Sequence, residues 1–270
     1  MNELEIKRSI IKKFRKEIWA KFIKAVKDYD LINENDKICV CISGGKDSFL
    51  LALCFEELKK HHKFNFEVKH IVMDPGYTKE KLNQIKEMAK LLKLDIKIFK
   101  SDIFKVVKKM GDNSPCYLCA RMRRGFLYAK AKELGCNKIA LGHHFNDVIE
   151  TVLLNIIYNG TFSGMLPILD SDNFADMQLI RPMYYIKEVN INHWVKYNKL
   201  EFIDCACQVT KKEIGKRKEI KNLINDLVNM YENADINIFN ALKNVNLNTI
   251  LGYHKDECYY DNIVRGDKND

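Results

Sequence analysis

The chain has 270 residues, enough for one large domain or two small ones around an ample core. Its 45 basic residues outnumber its 36 acidic ones, a formal charge of +9, which suits equally a polyanionic partner, nucleic acid first, and a lysine-rich face that is merely solvated. No apolar run approaches the roughly 20 residues of a membrane span. The charged N-terminal stretch has no secretory core, so a cytoplasmic location is expected, where nine cysteines point to metal or redox chemistry rather than a disulfide framework.

Ile6, Ile10, Phe14, Ile18, Phe22 and Val26 recur every four residues, which predicts an amphipathic helix over 5–30, a cap or interface outside any sheet. From Lys37 the pattern alternates strand and helix. KICVCI, EVKHIVM, DIKIFK and KIALG read as strands; 47–61, 78–92, 117–134 and 145–158 read as helices. Crossovers of this length imply an α/β fold with a parallel sheet covered on both faces, with strand order open. NGTFSGMLP is turn-like, QLIRPMYYI is a candidate further strand, and 187–247 is helical and basic. The expected division is an N-terminal helix (1–34), a central α/β domain (35–185) and a helical C-terminal region carrying the late cysteines (186–270).

SGGKDS follows the first strand and opens a helix. Gly44 and Gly45 permit positive φ and close approach of a ligand, and the helix's first N–H groups form an anion site. Ser43 and Ser48 add hydroxyls, Lys46 a mobile charge, and Asp47 a candidate Mg2+ ligand between protein and phosphate. Neither a Walker A loop nor a dinucleotide fingerprint is present. A second strand-to-helix junction, ALGHHFNDVIET, brings Gly142, His143, His144, Asn146 and Asp147 to the same sheet edge, and the adjacent histidines are poor partners for one metal. Cys116 and Cys119 form a CxxC turn followed by Arg121, Arg123 and Arg124, whose charge favours thiolates. Cys205 and Cys207 are the next candidate ligands, whereas Cys39, Cys41, Cys54 and Cys136 read as buried small hydrophobes. Four cysteines make a zinc site; three make an iron–sulfur site with one iron open. The residues alone leave both readings standing.

SGGKDS resembles the PP-loop of the N-type ATP pyrophosphatases, and VMDPGY, with Asp74, resembles the segment bordering adenosine there. CYLCARMRRG, GHHFNDVIET, IRPMYYIKE and the late cysteine are together similar to the tRNA 2-thiocytidine synthetase family. That resemblance implies a Rossmann-like PP-loop fold and an ATP site at Ser43–Ser48 with Asp74, Gly142, His143 and Asp147. It also implies Mg2+ at Asp47 and a 4Fe-4S cluster on Cys116, Cys119 and Cys205, with CAC standing where the family has CNLC and Cys207 as competitor for the third position. Lys46, Asp47 and the three cysteines are then the catalytic set. The implied partners are tRNA, a cysteine desulfurase or another sulfide source, and a second copy in a homodimer. The implied reaction is adenylation of the C2 oxygen of an anticodon-loop cytidine, position 32, followed by sulfide entry and loss of AMP. The rivals are persulfide transfer on Cys119 or Cys205 without a cluster, and a zinc-stabilised RNA-binding module. The basic N-terminal helix, the Arg121–Arg124 segment and helix 211–222 are the expected tRNA surface.

Overall fold

The structure is a computed structural model that describes residues 2–61, 65–103, 106, 115–203, 211–256 and 258–262, with backbone alone for 115–118, 120 and 211–214. Cys205 and Cys207 lie outside the described residues, and of Cys116 only the backbone is described. Strands β1 (Lys37–Ile42), β2 (Glu67–Asp74), β3 (Ile96–Lys100), β4 (Lys138–Ala140) and β6 (Gln178–Ile180) run parallel, and β5 (Ile168–Asp170) pairs antiparallel to β6 at the edge. The spatial order is β3-β2-β1-β4-β6-β5. β1 is central, which explains its near-continuous apolar run: Ile38, Val40 and Ile42 enter one core while Cys39 and Cys41 enter the opposite one. Both faces are thereby covered, as the strand–helix alternation predicts. Strand β6 stops at Ile180 rather than running on through Ile186, because Pro182 has no N–H for a ladder.

The N-terminal segment departs from the expected single helix for a geometric reason. At 3.6 residues per turn each four-residue step overshoots a full turn by about 40°, so six such positions on one straight helix would wind through about 200°. The chain instead breaks after α1 (Glu3–Ile11), forms a π-helical turn at Arg15–Trp19, and resumes as α2 (Ala20–Asp28). The wider turn, with Trp19 N–H donating to Phe14 O at 3.3 Å, returns the stripe to one side. All six repeat residues are buried in the same core as β1 and α3 (Lys46–His61).

α4 (Lys79–Leu91) links β2 to β3, and α5 (Pro115–Glu133) leads into β4. The CxxC pair is therefore not a turn before a helix. Pro115 is the first helical residue, a position that needs no N–H, so Cys116 and Cys119 sit in the first turns of α5 itself. α6 (Phe145–Asn159) follows β4 and carries Phe145, Val148 and Ile149 into a third core with Tyr184, Ile220, Ile224 and Phe239. α7 (Glu188–Asn198), α8 (Lys211–Met230) and α9 (Ala234–Ala241) make up most of the basic C-terminal stretch, and β7 (Gly252–Lys255) with β8 (Cys258–Asp261) adds an exposed hairpin to a region expected to be helical. No helix among the described residues is long and apolar enough to cross a membrane.

One buried ion pair ties the link after α2 to the sheet. Lys138 Nζ lies 2.7 Å from Asp36 Oδ2, with side chains 3% and 7% exposed, and Lys138 also donates to Leu31 O at 3.1 Å. Asn137 Nδ2 and Asn33 N–H donate to the same carboxylate, each at 2.7 Å. Removing one partner of such a pair strands a buried charge. Lys138→Met is expected to cost about 3–5 kcal/mol in urea unfolding, with part of the loss recovered in the paired Asp36→Asn variant. A cost below about 1 kcal/mol would mean the pair is not the tie that its burial implies.

Candidate active site

β1 delivers the chain into α3 through Ser43, Gly44 and Gly45. Gly44 has φ +93°, a conformation L side chains rarely adopt, so the backbone requires glycine there, and the Ile203 side chain packs against its open face. The first helical hydrogen bond runs from Phe49 N–H to Gly45 O at 3.3 Å, which leaves the preceding amides free of helical partners and directed at the sheet's carboxyl edge. Ser48 holds the turn: its hydroxyl donates to Gly45 O at 2.8 Å and accepts the Ser43 N–H at 3.2 Å. This is the geometry of an anion cradle on a helix N-terminus.

The junction after β4 closes on it. A Cβ on Gly142 would sit 3.1 Å from the Asp47 carbonyl carbon and the Ser48 nitrogen, so the two strand-to-helix turns touch backbone to backbone. His144 then lies between two carboxylates, its Nε2 3.9 Å from Asp47 Oδ1 and its Nδ1 3.5 Å from Asp147 Oδ2. Asp147 also accepts the His144 N–H at 2.9 Å, capping α6. His143 turns the other way and its Nδ1 accepts the Arg181 Nε–H at 3.2 Å. Burial pushes His143 down to about 4, and Arg181 adds to that against the opposing pull of Asp147, so the ring is neutral near pH 7. The two histidines thus diverge, as their adjacency predicts.

Lys46 Nζ lies 3.2 Å from Glu188 Oε1, and Lys221 Nζ lies 2.5 Å from Glu188 Oε2. Burial pushes Glu188 up, but the hydrogen bonds and charges of Lys221 and Lys46 outweigh it and hold the carboxyl below its ordinary range. Asn146 Oδ1 accepts the Glu188 N–H at 2.9 Å and fixes the start of α7. Arg217 of α8 reaches to 3.9 Å from Asp147. Sequence reading did not single out Glu188, Lys221 or Arg217, because nothing local marks a residue whose partner is 142 positions away. Glu150, one turn beyond Asp147, is also buried and pushed up, first by burial and then by Asp147.

Asp47 is the candidate cation ligand. Burial pushes its pKa up, against the attraction of His144 and Lys46 and helped by repulsion from Asp147 and Glu188. Its Oδ1 is buried and accepts no hydrogen bond among the described residues, with Lys46 Nζ 3.5 Å away as an ion-pair partner, so a lone pair stays open to a divalent cation. Asp74 lies one strand over. Its Oδ1 accepts the N–H groups of Gly76 and Tyr77 at 2.9 and 2.7 Å, so the carboxylate shapes its own turn. Tyr77 Oη in that turn donates to Ser43 O at 3.3 Å and joins it to the cradle.

Cys119 is 8% exposed and packs with Met73 and Ile103. Ile42 of β1 pairs with Val72 of β2, so Met73 is level with Ser43, and Cys119 stands at the same sheet edge as the cradle, one strand away. Ile203, against Gly44, precedes Cys205 by two residues. Cys119 is thus the thiol described at this edge; of the other two proposed iron–sulfur ligands, the Cys116 side chain and Cys205 lie outside the described residues. Cys39, Cys41, Cys54 and Cys136 are buried as expected; burial raises the pKa of Cys54, and a hydrogen bond with Cys39, then burial, raise that of Cys136.

The family model of the PP-loop domain matches residues 14–225. The tRNA-cytidine(32) 2-sulfurtransferase of Paraburkholderia xenovorans is 36% identical over 227 residues, 82% of this chain and 66% of that protein. The protein of the same name from Syntrophotalea carbinolica is 35% identical over 224 residues, 82% of this chain and 86% of the relative. The chain thus spans slightly under two thirds of some of these relatives, at 66%, and most of others, at 86%. In fold it is similar to the U34-tRNA thiolase NcsA from Methanococcus maripaludis, solved with its 4Fe-4S cluster, at 21% identity and TM-score 0.66 over 84% of this chain and 79% of that one. On the strength of the PP-loop match and these relatives, the chain belongs to the tRNA 2-thiocytidine synthetase family within the PP-loop proteins.

Proposed function

We propose that this chain is an ATP-dependent tRNA sulfurtransferase that replaces the C2 oxygen of a cytidine, at tRNA position 32, with sulfur. The observation that supports it most is the backbone contact of Gly142 on Asp47 and Ser48, which presents two helix N-termini and a buried orphan carboxylate oxygen to one point. ATP would lie with its phosphates on the amides and hydroxyls of Ser43 to Ser48 and its nucleoside between the Asp74 turn and the Gly142–His143 segment. Lys46 exchanges Glu188 for phosphate oxygen, and Lys221 keeps Glu188 neutralised when it does. Mg2+ on Asp47, with Asp147 nearby, would offset phosphate charge. The cytidine C2 oxygen attacks the α-phosphorus, the bridge to the β-phosphate breaks, and pyrophosphate leaves against the cradle. Sulfide then forms the C2–S bond, the C2–O bond breaks, and AMP departs with the oxygen. Cys116, Cys119 and Cys205 would hold the 4Fe-4S cluster, which when bound supplies a Lewis-acidic open iron for sulfide. The target base must be unstacked to reach this edge, which suits a loop nucleotide. A cysteine desulfurase or another sulfide source and a homodimeric assembly complete the proposal.

Pyrophosphate release that requires added tRNA, with 2-thiocytidine found by nucleoside mass spectrometry, is the expected result. ATP turnover indifferent to tRNA defeats the reading. Gly142→Ala places a methyl 3.1 Å from main-chain atoms, so the two turns must part by a few tenths of an ångström, which costs on the order of 3- to 10-fold in rate. The variant is expected to lose pyrophosphate release by about that factor while its unfolding midpoint shifts little. Anaerobically purified protein is expected to contain iron and sulfide in equal amounts with broad absorption near 400 nm, and Cys119→Ser to lose both. Colourless protein that still thiolates tRNA favours the persulfide rival, and zinc in place of iron favours the RNA-binding module.

A further inference from the structure

The turn carrying Glu188 has a second side. Glu188 faces Lys46, but Lys187 before it lines a separate groove of about 440 Å3, and Phe145 lines that groove while His144 before it faces Asp47. Phe145 N–H donates to Ile186 O at 3.0 Å, so the groove and the candidate ATP site share two backbone junctions.

The lining is unlike an ordinary surface cleft. Lys16, Lys21, Lys24, Lys187 and Lys243 surround it, with Glu17 as the carboxylate on the lining. Asp28 neutralises Lys24 at 2.6 Å and Asp235 neutralises Lys187 at 2.5 Å. Lys16, Lys21 and Lys243 make no ion pair among the described residues. The floor is aromatic. Tyr185 is half-buried, stacks on Tyr29 at 5.7 Å and meets Phe239 at 5.8 Å; Phe239 in turn stacks on Phe145 at 5.1 Å. Lys243 Nζ stands 5.3 Å from the Tyr185 ring centre and donates to its hydroxyl at 3.2 Å.

Unpaired cations around a groove floored by the half-buried Tyr185 ring, with Phe145 and Phe239 buried beneath, match single-stranded nucleic acid, in which phosphates meet the lysines and a base meets Tyr185. A membrane is met by an apolar stripe that projects, not by rings recessed in a groove. The volume lies within the roughly 300–1,000 Å3 of ligand pockets, room for about one nucleotide. We propose that this groove docks an unpaired nucleotide of the tRNA substrate near the one being modified, with its phosphates on Lys16, Lys21 and Lys243. The Lys187–Glu188 turn then puts bound RNA one residue from the partner of Lys46. The inference rests on the reading of the chain as a tRNA-modifying enzyme and adds where the RNA sits.

The test is binding of an unmodified tRNA transcript to the full chain, by fluorescence anisotropy over a range of salt, for wild type and the Lys16→Ala/Lys21→Ala variant. Both side chains are exposed and remote from the cradle, so the variant is expected to fold and to bind a non-hydrolysable ATP analogue as wild type does. Affinity is expected to fall about fivefold or more, and the slope of log K on log salt to become shallower by about 1.4, two single-strand phosphate contacts at about 0.7 each. Unchanged affinity and slope in a protein that still thiolates tRNA overturn the groove and leave the enzyme reading intact. Failure of wild type to bind tRNA at all overturns both. A wild type that prefers phosphatidylserine vesicles to tRNA, or a variant that loses its self-association but keeps its tRNA affinity, assigns the groove to a membrane or to a second copy and overturns the proposal.

Discussion

The site depends on a contact with no side chain in it. Gly142 brings the turn after β4 onto the Asp47–Ser48 backbone, where a single added methyl carbon would stand 3.1 Å from main-chain atoms. Because β1 and β4 are neighbouring parallel strands, their following helices start at the same edge, and this contact brings the two starts together. The amides of the turn that opens α3 and the two helix dipoles then act on one small volume, and the same closeness buries Asp47 and His144.

Burial on that scale creates a charge problem, and the surrounding residues resolve it in a particular way. Asp47, Asp147 and Glu188 converge on the cradle, so each carboxylate raises the cost of the next. Lys46, Lys221 and Arg217 offset them, two of these cations coming from α8, which packs against α6. Asn146 precedes Asp147 at the start of α6. Its neutral amide oxygen accepts the Glu188 N–H without adding a further negative charge. The cradle's lysine is held ready by an acid whose position is set by the second junction, so the halves of the site are linked electrostatically as well as by contact.

Much of this was legible beforehand because it is written locally. An apolar six-residue run bounded by glycine reads as a buried strand, and a serine, two glycines, a lysine and an aspartate opening a helix read as an anion site. Local signals also misled. The four-residue stripe of the N-terminal segment looked like one helix until the π-helical turn reconciled it with helical geometry, and CYLC looked like a turn although Pro115 is a natural first residue of a helix. The hairpin at Tyr253 and Tyr260, whose rings stack at 5.0 Å, lay in a stretch too short and polar to stand out.

The chain's own order of residues determined the alternation of strands and helices, the family, and the kinds of group brought to the sheet edge. These are properties of short stretches, set by periodicity, backbone freedom and the chemistry of single side chains. Only the tertiary structure decided the strand order, the pairing of Lys46 with Glu188 and Lys221, the orphaned oxygen of Asp47, and the lysine-rimmed aromatic groove behind them. Each of these joins residues far apart in the chain, and such pairings follow from the packing of the entire core, which no short window contains.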